Sequence, residues 1–297
     1  MTLPLSGANR PIAQIYPAPD LHWVGDGFRV MGYLQAYPTL EKAMNPFLLL
    51  DYHPPYHYPP TQARRGVGTH PHRGFETVTL AFEGSVSHHD SAGGGGTIGP
   101  GDVQWMSAAS GVLHQEYHEA NFARQGGLFH MAQLWVNLPA AHKMGPPSYH
   151  AITAAEMGEV TLPDGAGRVR VIAGEFEGAR GPARPFTPIA IQDIQLQPGG
   201  RHTWNLPPHY NVGLVVMAGE ILVNDTTRAG LHDFVSFGHD AERFSLTTSE
   251  GARLLLLAGE PINEPVVSYG PFVMNTMAEI KQAITDYNDG KFGRLDD

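Results

Sequence analysis

Short apolar segments broken by glycine and proline turns run through the chain. Up to about residue 138, stretches such as FRVMGYLQA, ETVTLAFEG, DVQWMSA and MAQLWVNL have the length and the Val, Phe, Tyr and Trp content of β-strands. After a short interruption the pattern resumes with VRVIAGEF, IAIQDIQL and ARLLLLAGE. Short strands at this close spacing predict an all-β fold of sandwiches or barrels.

The strand pattern divides the chain into two similar halves. A stretch rich in Pro and Gly, PAAHKMGPP, interrupts the strands and is typical of a linker. We therefore predict an N-terminal domain over 1–138, a linker over 139–150 and a C-terminal domain over 151–297. Aligning Gly84 with Gly219 brings TLAFEGSV over VVMAGEIL, a weak internal repeat consistent with duplication of one barrel.

Helical periodicity stands out near the end of the chain, over 277–288. Thr276 and Glu279 have the spacing of a capping box, and Ile280 and Ile284 recur on one face. The pattern predicts a short C-terminal α-helix that packs against a barrel.

Two pairs of polar residues have the spacing of side chains on one face of a strand. Alternate residues point to the same side, so His70 and His72 project together, as do His114 and Glu116. On neighbouring inward-facing strands these pairs place three imidazoles and one carboxylate around a single point. Such ligands suit one divalent ion of Fe, Mn, Co, Ni, Cu or Zn. Octahedral geometry would leave two positions open for substrate, oxygen or water.

Composition narrows the chemistry and the partners. The chain has no cysteine, which excludes disulfides, thiolate metal sites and thiol nucleophiles. Lysine and arginine number 19 against 29 acidic residues, a net charge of -10 that disfavours direct nucleic-acid binding. The N-terminus lacks the pattern of a signal peptide, and the longest aliphatic run is too short to span a bilayer. We expect a soluble cytoplasmic protein with no membrane partner.

Five sequence segments of the chain resemble segments of a known protein family. HPHRGFETV, PGDVQWM, GVLHQE, LWVNLP and GEPINEPVVSYGPFVMNT occur in this order, cover most of the chain, and resemble the pirin family of two-domain cupins. The resemblance implies a bicupin, with two antiparallel β-barrel (jelly-roll) domains and the short C-terminal helix. It also implies that the N-terminal cupin binds the metal.

The second half offers no equivalent ligands. At the offset that aligns the two glycines, Asn205 and Pro207 occupy the places of His70 and His72. We therefore expect the C-terminal cupin to bind no metal.

The carboxylate ligand has two candidates. Cupins in general often use a Glu of the first motif, which nominates Glu76. The usual position lies seven residues before the closing Gly84, which is Thr77, so Glu76 is one residue out of phase and would face the other side of its strand. Glu116 has the correct parity and matches the Glu that pirins use. The expected ligands are therefore His70, His72, His114 and Glu116, unless a bulge reverses the parity.

The resemblance implies an activity as well as a fold. Bacterial pirin-like proteins are associated with quercetin 2,3-dioxygenase activity, so the expected function is a dioxygenase, with Fe(II) favoured, acting on flavonols such as quercetin. Its partners would be a small aromatic chelating substrate and dioxygen, with Glu116 as both ligand and catalytic base. The main alternative is a non-enzymatic metal-dependent regulator that binds a transcription factor or a metabolic enzyme. A third is a cupin isomerase or hydrolase that uses zinc or manganese.

Other histidines near the motifs are assigned structural roles. His88, His89 and Asp90 border the glycine-rich tract SAGGGGTIGPGD, which favours a solvated turn. His118 shares the parity of Glu116, but contact with solvent is the preferred interpretation.

Overall fold

Strands dominate the computed structural model, which describes residues 7–295. Residues 1–6, where the N-terminal stretch considered above begins, lie outside the described residues. In chain order the strands up to the middle of the chain are β1 (Ile12–Tyr16), β2 (Leu21–Val24), β3 (Phe28–Gly32), β4 (Phe47–Tyr58), β5 (Gly66–His72), β6 (Phe75–Glu83), β7 (Val86–Asp90), β8 (Gly95–Ile98), β9 (Val103–Ser107), β10 (Val112–His118), β11 (Gly127–Asn137), β12 (Ser148–Ile152) and β13 (Gly158–Thr161).

The later strands follow the same style of short segments. They are β14 (Gly167–Ala173), β15 (Glu175–Phe176), β16 (Ala179–Arg180), β17 (Ile189–Leu196), β18 (Arg201–Asn205), β19 (Asn211–Gly219), β20 (Ile221–Val223), β21 (Thr227–Ala229), β22 (Phe234–Phe237), β23 (Arg243–Thr247), β24 (Ala252–Gly259), β25 (Val267–Tyr269) and β26 (Phe272–Met274). The α-helices are α1 (Tyr33–Ala36), α2 (Pro38–Ala43), α3 (Ala120–Gln125) and α4 (Met277–Asn288). Single 3-10 turns span Ala140–His142, Ala154–Glu156 and Pro163–Gly165.

The described chain forms two compact units, and neither is contiguous in sequence. The histidine-rich unit contains residues 20–36, 46–155 and 262–295, and the apolar unit contains 7–19, 37–45 and 156–261. These ranges differ from the contiguous domains predicted above, because β1 pairs with β22 and the C-terminal segment packs beside Leu113. The predicted linker is also not free, since its last residues belong to β12, which pairs with β9.

The histidine-rich unit is built from two antiparallel sheets. One has seven strands in the order β12-β9-β6-β11-β4-β3-β2, and the other has four in the order β5-β10-β7-β8. The four-stranded sheet carries all of the residues expected to hold a metal.

The apolar unit repeats this plan strand for strand. Its sheets have the orders β1-β22-β19-β24-β17-β14-β13 and β18-β23-β20-β21. Gly84 and Gly219 close the equivalent strands β6 and β19, at φ values of +79° and +72° that favour glycine. The weak sequence repeat therefore corresponds to a repeated topology.

The side chains buried inside the apolar unit differ from those buried inside the histidine-rich unit. Trp204 of β18 and Phe244 of β23 are fully buried and stack with ring centroids 6.0 Å apart. They belong to a continuous core with Leu246 and the central strands. Aromatic and aliphatic side chains thus fill the space where the histidine-rich unit places polar groups.

The C-terminal helix α4 begins and ends as its sequence predicts. Thr276 Oγ1 accepts the backbone N–H of Glu279, and the Glu279 carboxylate accepts the backbone N–H of Thr276, which completes the capping box. Ile280 and Ala283 bury one face of the helix against β26. This packing ties the end of the chain to the histidine-rich unit.

A buried ion pair fixes the same helix to the residue that follows His72. Arg73 Nη1 donates to Asp286 Oδ2 at 2.8 Å, and both side chains are nearly inaccessible to solvent. Arg73 Nε donates to the carbonyl of Ser110 at 2.7 Å. Hydrogen bonds from Lys291, Arg73 and Gln282 hold the pKa of Asp286 well below its ordinary value. The helix therefore braces the connection between β5 and β6.

Among residues 7–295, no helix is long and apolar enough to cross a membrane.

We predict that Asp286→Asn lowers the free energy of unfolding at pH 7 by about 2 kcal/mol, because it leaves a buried guanidinium without its charged partner. The lowered pKa of Asp286 stabilises the fold above the unfolded-state value, so the difference from wild type should shrink below about pH 4. Urea unfolding across this pH range measures the effect. The exposed Asp289→Asn is the control and should change stability by less than about 0.5 kcal/mol.

Candidate metal centre

Three imidazoles meet where β5 pairs with β10. His70 lies directly opposite His114 in the antiparallel register, and His72 lies opposite Val112. The period of two turns all three rings to the same side. Ring centroids are 4.2 Å apart for His70 and His114 and 4.7 Å apart for His72 and His114. One ligand nitrogen from each of the three lies within 4.8 Å of the others.

Hydrogen bonding leaves nitrogens of these rings available to an ion. His70 Nδ1 donates to the carbonyl of Gly68 at 2.8 Å, which leaves the Nε2 lone pair free. His72 Nδ1 and His114 Nε2 are buried and have no hydrogen-bond partner among residues 7–295. Unpaired buried nitrogens cost free energy, and a bound cation would satisfy them.

The two buried rings, His72 and His114, are in the protonation state that metal binding requires. Burial, reinforced by the neighbouring His70, holds the pKa of His72 well below its usual range. Burial and then His72 have the same effect on the pKa of His114. Both rings are therefore neutral at pH 7, as imidazole ligands must be.

Glu116 reaches the cluster from the next inward position of β10. An extra residue in β5 shifts the register here, so that Glu116 lies opposite Val67. Gln104 Nε2 donates to its Oε1 at 3.0 Å, and Thr79 Oγ1 donates to the same atom at 3.3 Å. Gln133 Nε2 donates to Oε2 at 3.2 Å. Two amides and a hydroxyl thus orient a buried carboxylate beside His114.

The four expected ligands do not form a single tight group. His70, His72 and His114 make one cluster, and Glu116 belongs to a second cluster with His114 and His88. His114 is common to both clusters, and Glu116 does not lie within 4.8 Å of all three imidazoles.

Glu76, the competing carboxylate, belongs to neither cluster. In the sheet, Glu76 pairs with Ser107 on one side and Val136 on the other. The residue of β6 that contacts Glu116 is Thr79, which lies on the opposite face of the strand from Glu76. Glu76 lies instead with Trp105 on the other face of the sheet. The parity that argued against this residue holds in the structure, with no bulge that reverses it.

Burial raises the pKa of Glu76 to about 7, with the Trp105 indole acting in the opposite direction. Its Oε2 has no hydrogen-bond partner in the described part of the chain.

His88 is the residue that sequence reasoning misplaced. The glycine-rich tract beside it suggested a solvated turn, but His88 and Asp90 lie on the inward face of β7 and are buried. The glycines form a turn only from Ser91, and Gly95 already begins β8. The alternation in VSHHD was the available signal, because it places His88 and Asp90 on one face and His89 on the other.

His118 also differs from its expected place. It is buried among Phe28, Phe122 and Phe129, and its Nε2 lies 2.8 Å from the carbonyl of Gly27. Contact with solvent is therefore wrong for this side chain, and it belongs to neither ligand cluster.

One side of the cluster is accessible. His70, Gln133 and Trp135 are partly exposed, whereas His72 and His114 are buried. The Trp135 ring lies 5.2 Å from that of His72. The partly exposed side chains around the two buried imidazoles are therefore those of His70, Gln133 and Trp135.

Two family models and a solved structure match this chain. The family model described as Pirin matches residues 27–136, and the one described as Pirin C-terminal cupin domain matches residues 191–293. The crystal structure of a quercetin 2,3-dioxygenase from Acinetobacter baumannii superimposes with a TM-score of 0.93 at 48% identity, over 97% of this chain and 100% of that one.

Relatives with curated names carry the same two descriptions. A Pseudomonas aeruginosa protein named "Putative quercetin 2,3-dioxygenase" is 48% identical over 289 residues, which cover 96% of this chain and 99% of that protein. "Pirin-like protein 2" of Arabidopsis thaliana is 39% identical over 264 residues, 85% of this chain and 77% of that protein.

Two repeated strand units, one of which gathers imidazoles and a carboxylate on neighbouring strands of one sheet, define the molecule as a two-domain cupin. Within that class the chain belongs to the pirin family. The expected bicupin fold is thereby confirmed. Among the described residues, both candidate ligand clusters lie in the histidine-rich unit.

The donor set fits the metal ion that this family implies. Three imidazoles, two of them with unpaired buried nitrogens, and a carboxylate are ligands for a divalent transition metal.

We predict that Glu116→Gln lowers the affinity for a divalent metal by about 10- to 100-fold, because a charged ligand is replaced by a neutral one. Glu76→Gln, a matched change on the other face of the sheet, should leave the affinity unchanged. Titration with Co(II) in competition with a chelator measures both. A loss of affinity in Glu76→Gln with none in Glu116→Gln would reverse the ligand assignment.

Glu76→Gln should have a separate effect on stability. The pKa of Glu76 is raised from its ordinary value of 4.5 to about 7 in the folded state. The protonated carboxyl therefore stabilises the fold at pH values below 4.5, and this stabilisation is lost as the pH rises through about 7. Between pH 5 and pH 8 the stability of the variant relative to wild type should therefore increase by about 2 kcal/mol. Denaturant unfolding at the two pH values checks this, and a constant difference would show that the residue does not titrate.

Proposed function

We propose that this pirin is a metal-dependent dioxygenase, with Fe(II) as the favoured ion, that acts on flavonols such as quercetin. His70, His72, His114 and Glu116 hold the ion in this proposal. The observation that carries it is the cluster of three imidazoles, two of them kept neutral by burial, beside a carboxylate oriented by hydrogen bonds. Close relatives named for quercetin 2,3-dioxygenase support the choice of reaction.

The reaction adds both atoms of dioxygen to the flavonol, opens its central ring and releases carbon monoxide. A bound divalent ion supplies open coordination positions and stabilises the anion of the substrate hydroxyl, which lowers its pKa. The protein must then supply a proton acceptor, an orienting surface and protection of the site from bulk water.

Glu116 is the proton acceptor as well as a ligand in this mechanism. Its Oε1 already accepts two hydrogen bonds, from Gln104 and Thr79, whereas Oε2 accepts one from Gln133. Oε2 therefore has the greater remaining capacity to take the proton of the substrate hydroxyl. Gln104 and Thr79 keep the carboxylate in place while the proton moves.

An aromatic surface on the accessible side suits a flat substrate. Trp135 stacks on Phe75 with ring centroids 4.2 Å apart, and the edge of this pair meets His72. The partly exposed Trp135 offers an apolar face next to the imidazoles. Flavonol rings would pack on it while their oxygens face the ion.

The test is oxygen-dependent turnover. The protein is purified anaerobically without chelator, and the metal that it contains is identified. The protein is then loaded with one equivalent of iron, and quercetin and air are added. We expect carbon monoxide release by the wild type and less than about 1% of that rate in Glu116→Ala and His114→Ala. Glu76→Gln is the control and should retain activity.

No turnover by the fully iron-loaded wild type would contradict the dioxygenase. The regulatory alternative would then become the leading hypothesis, and capture of protein partners by the metal-loaded and metal-free forms would test it.

A further inference from the structure

His88 belongs to the second ligand cluster, but both of its ring nitrogens already have partners in the protein. Its Nε2 is 3.2 Å from Asp90 Oδ2, and its Nδ1 is 3.1 Å from Gln104 Nε2 and 3.4 Å from His114 Nδ1. Both ring nitrogens are therefore engaged. Side chains of β7, β9 and β10 form this chain of contacts, which ends at His114 and Glu116.

The carboxylate of Glu116 determines where the hydrogens lie in this row of contacting side chains. Glu116 Oε1 needs a donor, so the Gln104 amide turns its NH₂ group toward it. The second hydrogen of that NH₂ faces His88 Nδ1, which must then be an acceptor. Because a neutral imidazole has one acceptor and one donor, His88 Nε2 carries the hydrogen and donates it to Asp90.

The tautomer of His114 follows from its contact with His88. His114 Nδ1 lies 3.4 Å from His88 Nδ1, whose single lone pair already accepts from Gln104. A lone pair on His114 Nδ1 would face that of His88, so the favoured tautomer carries the hydrogen on Nδ1 and leaves the lone pair on Nε2. His114 Nε2 is one of the nitrogens without a hydrogen-bond partner in the described chain. The tautomer that exposes this lone pair is the one needed for metal binding.

Asp90 holds the end of this row of side chains that is farthest from Glu116. Its Oδ1 accepts the backbone N–H groups of Ala92 at 2.9 Å and Gly94 at 2.8 Å, so the turn after β7 fixes the carboxylate. Tyr149 stacks on the His88 ring with centroids 4.9 Å apart and an interplanar angle of 14°. These contacts hold the His88 ring in one orientation.

We infer that His88 and Asp90, joined through Gln104 to Glu116, are positioning residues that set the tautomer and orientation of His114 for metal binding. An acceptor behind a ligating histidine is a common means of tuning such a site, here supplied by a second imidazole and a carboxylate. The inference rests on the metal site of the proposed function and is independent of the substrate.

The test uses Co(II) as the probe, because its affinity and visible absorption report the ligands without any turnover. His88→Leu removes the acceptor and should weaken Co(II) binding by about 10- to 100-fold and alter the visible spectrum, with three imidazoles still bound in X-ray absorption. His88→Asn can place an amide oxygen near the position of Nδ1 and should restore affinity to within about threefold of wild type. His89→Leu, on the outer face of β7, is the control and should bind as wild type does.

A second pair separates the link to His88 from the support of Glu116. Gln104→Leu and Gln133→Leu each remove one amide donor from the carboxylate, but only Gln104 also contacts His88. Gln104→Leu should therefore weaken Co(II) binding more than Gln133→Leu does. Thermal unfolding of the metal-free variants identifies any that do not fold.

Two results would overturn the inference. Unchanged Co(II) affinity and spectrum in a folded His88→Leu protein would show that His88 does not position His114. Loss of one imidazole from the Co(II) shell in that variant would make His88 a direct ligand. Failure of the dioxygenase proposal is a separate result, because iron-loaded protein without quercetin turnover leaves the Co(II) comparison intact.

Discussion

The site depends on one register between two strands. β5 and β10 pair so that His70 faces His114, and the period of two then brings His72 to the same side. A slip of one residue would turn the histidines of one strand away from those of the other. The buried ion pair between Arg73 and Asp286 holds the chain immediately after His72, so the C-terminal helix helps to fix the same register.

This arrangement buries polar side chains, and each of them needs hydrogen-bond partners nearby. The carboxylate of Glu116 lies in the interior, and the amides of Gln104 and Gln133 supply the donors that it needs. The equivalent strands of the apolar unit bury Trp204 and Phe244 instead. The same topology therefore has two kinds of interior: one copy gathers polar side chains, and the other forms a hydrophobic core.

The parts of the molecule that follow from local rules could be predicted from the sequence. The helix over Met277–Asn288 is specified by its own capping box, and the grouping of His70 with His72 needs only strand periodicity. The place of Glu76 on the other face follows from the same periodicity. In each case the deciding information lies within a few residues of the feature.

The parts that depend on distant pairing could not be predicted in the same way. β1 joins the sheet of the apolar unit because its partner is β22, more than two hundred residues away. His88 was misassigned because the adjacent glycines suggested a loop, whereas its burial depends on β10 and on the stacked Tyr149. Gln104 and Gln133 carry no sequence signal of their own, and their role appears only once both face Glu116.

The most direct test of the metal centre is a crystal structure of the protein loaded anaerobically with iron, with anomalous scattering measured at the iron edge. The account predicts one iron per chain, bound by nitrogens of His70, His72 and His114 and by an oxygen of Glu116. An iron bound to His88, or none within reach of His70 and His72, would contradict it.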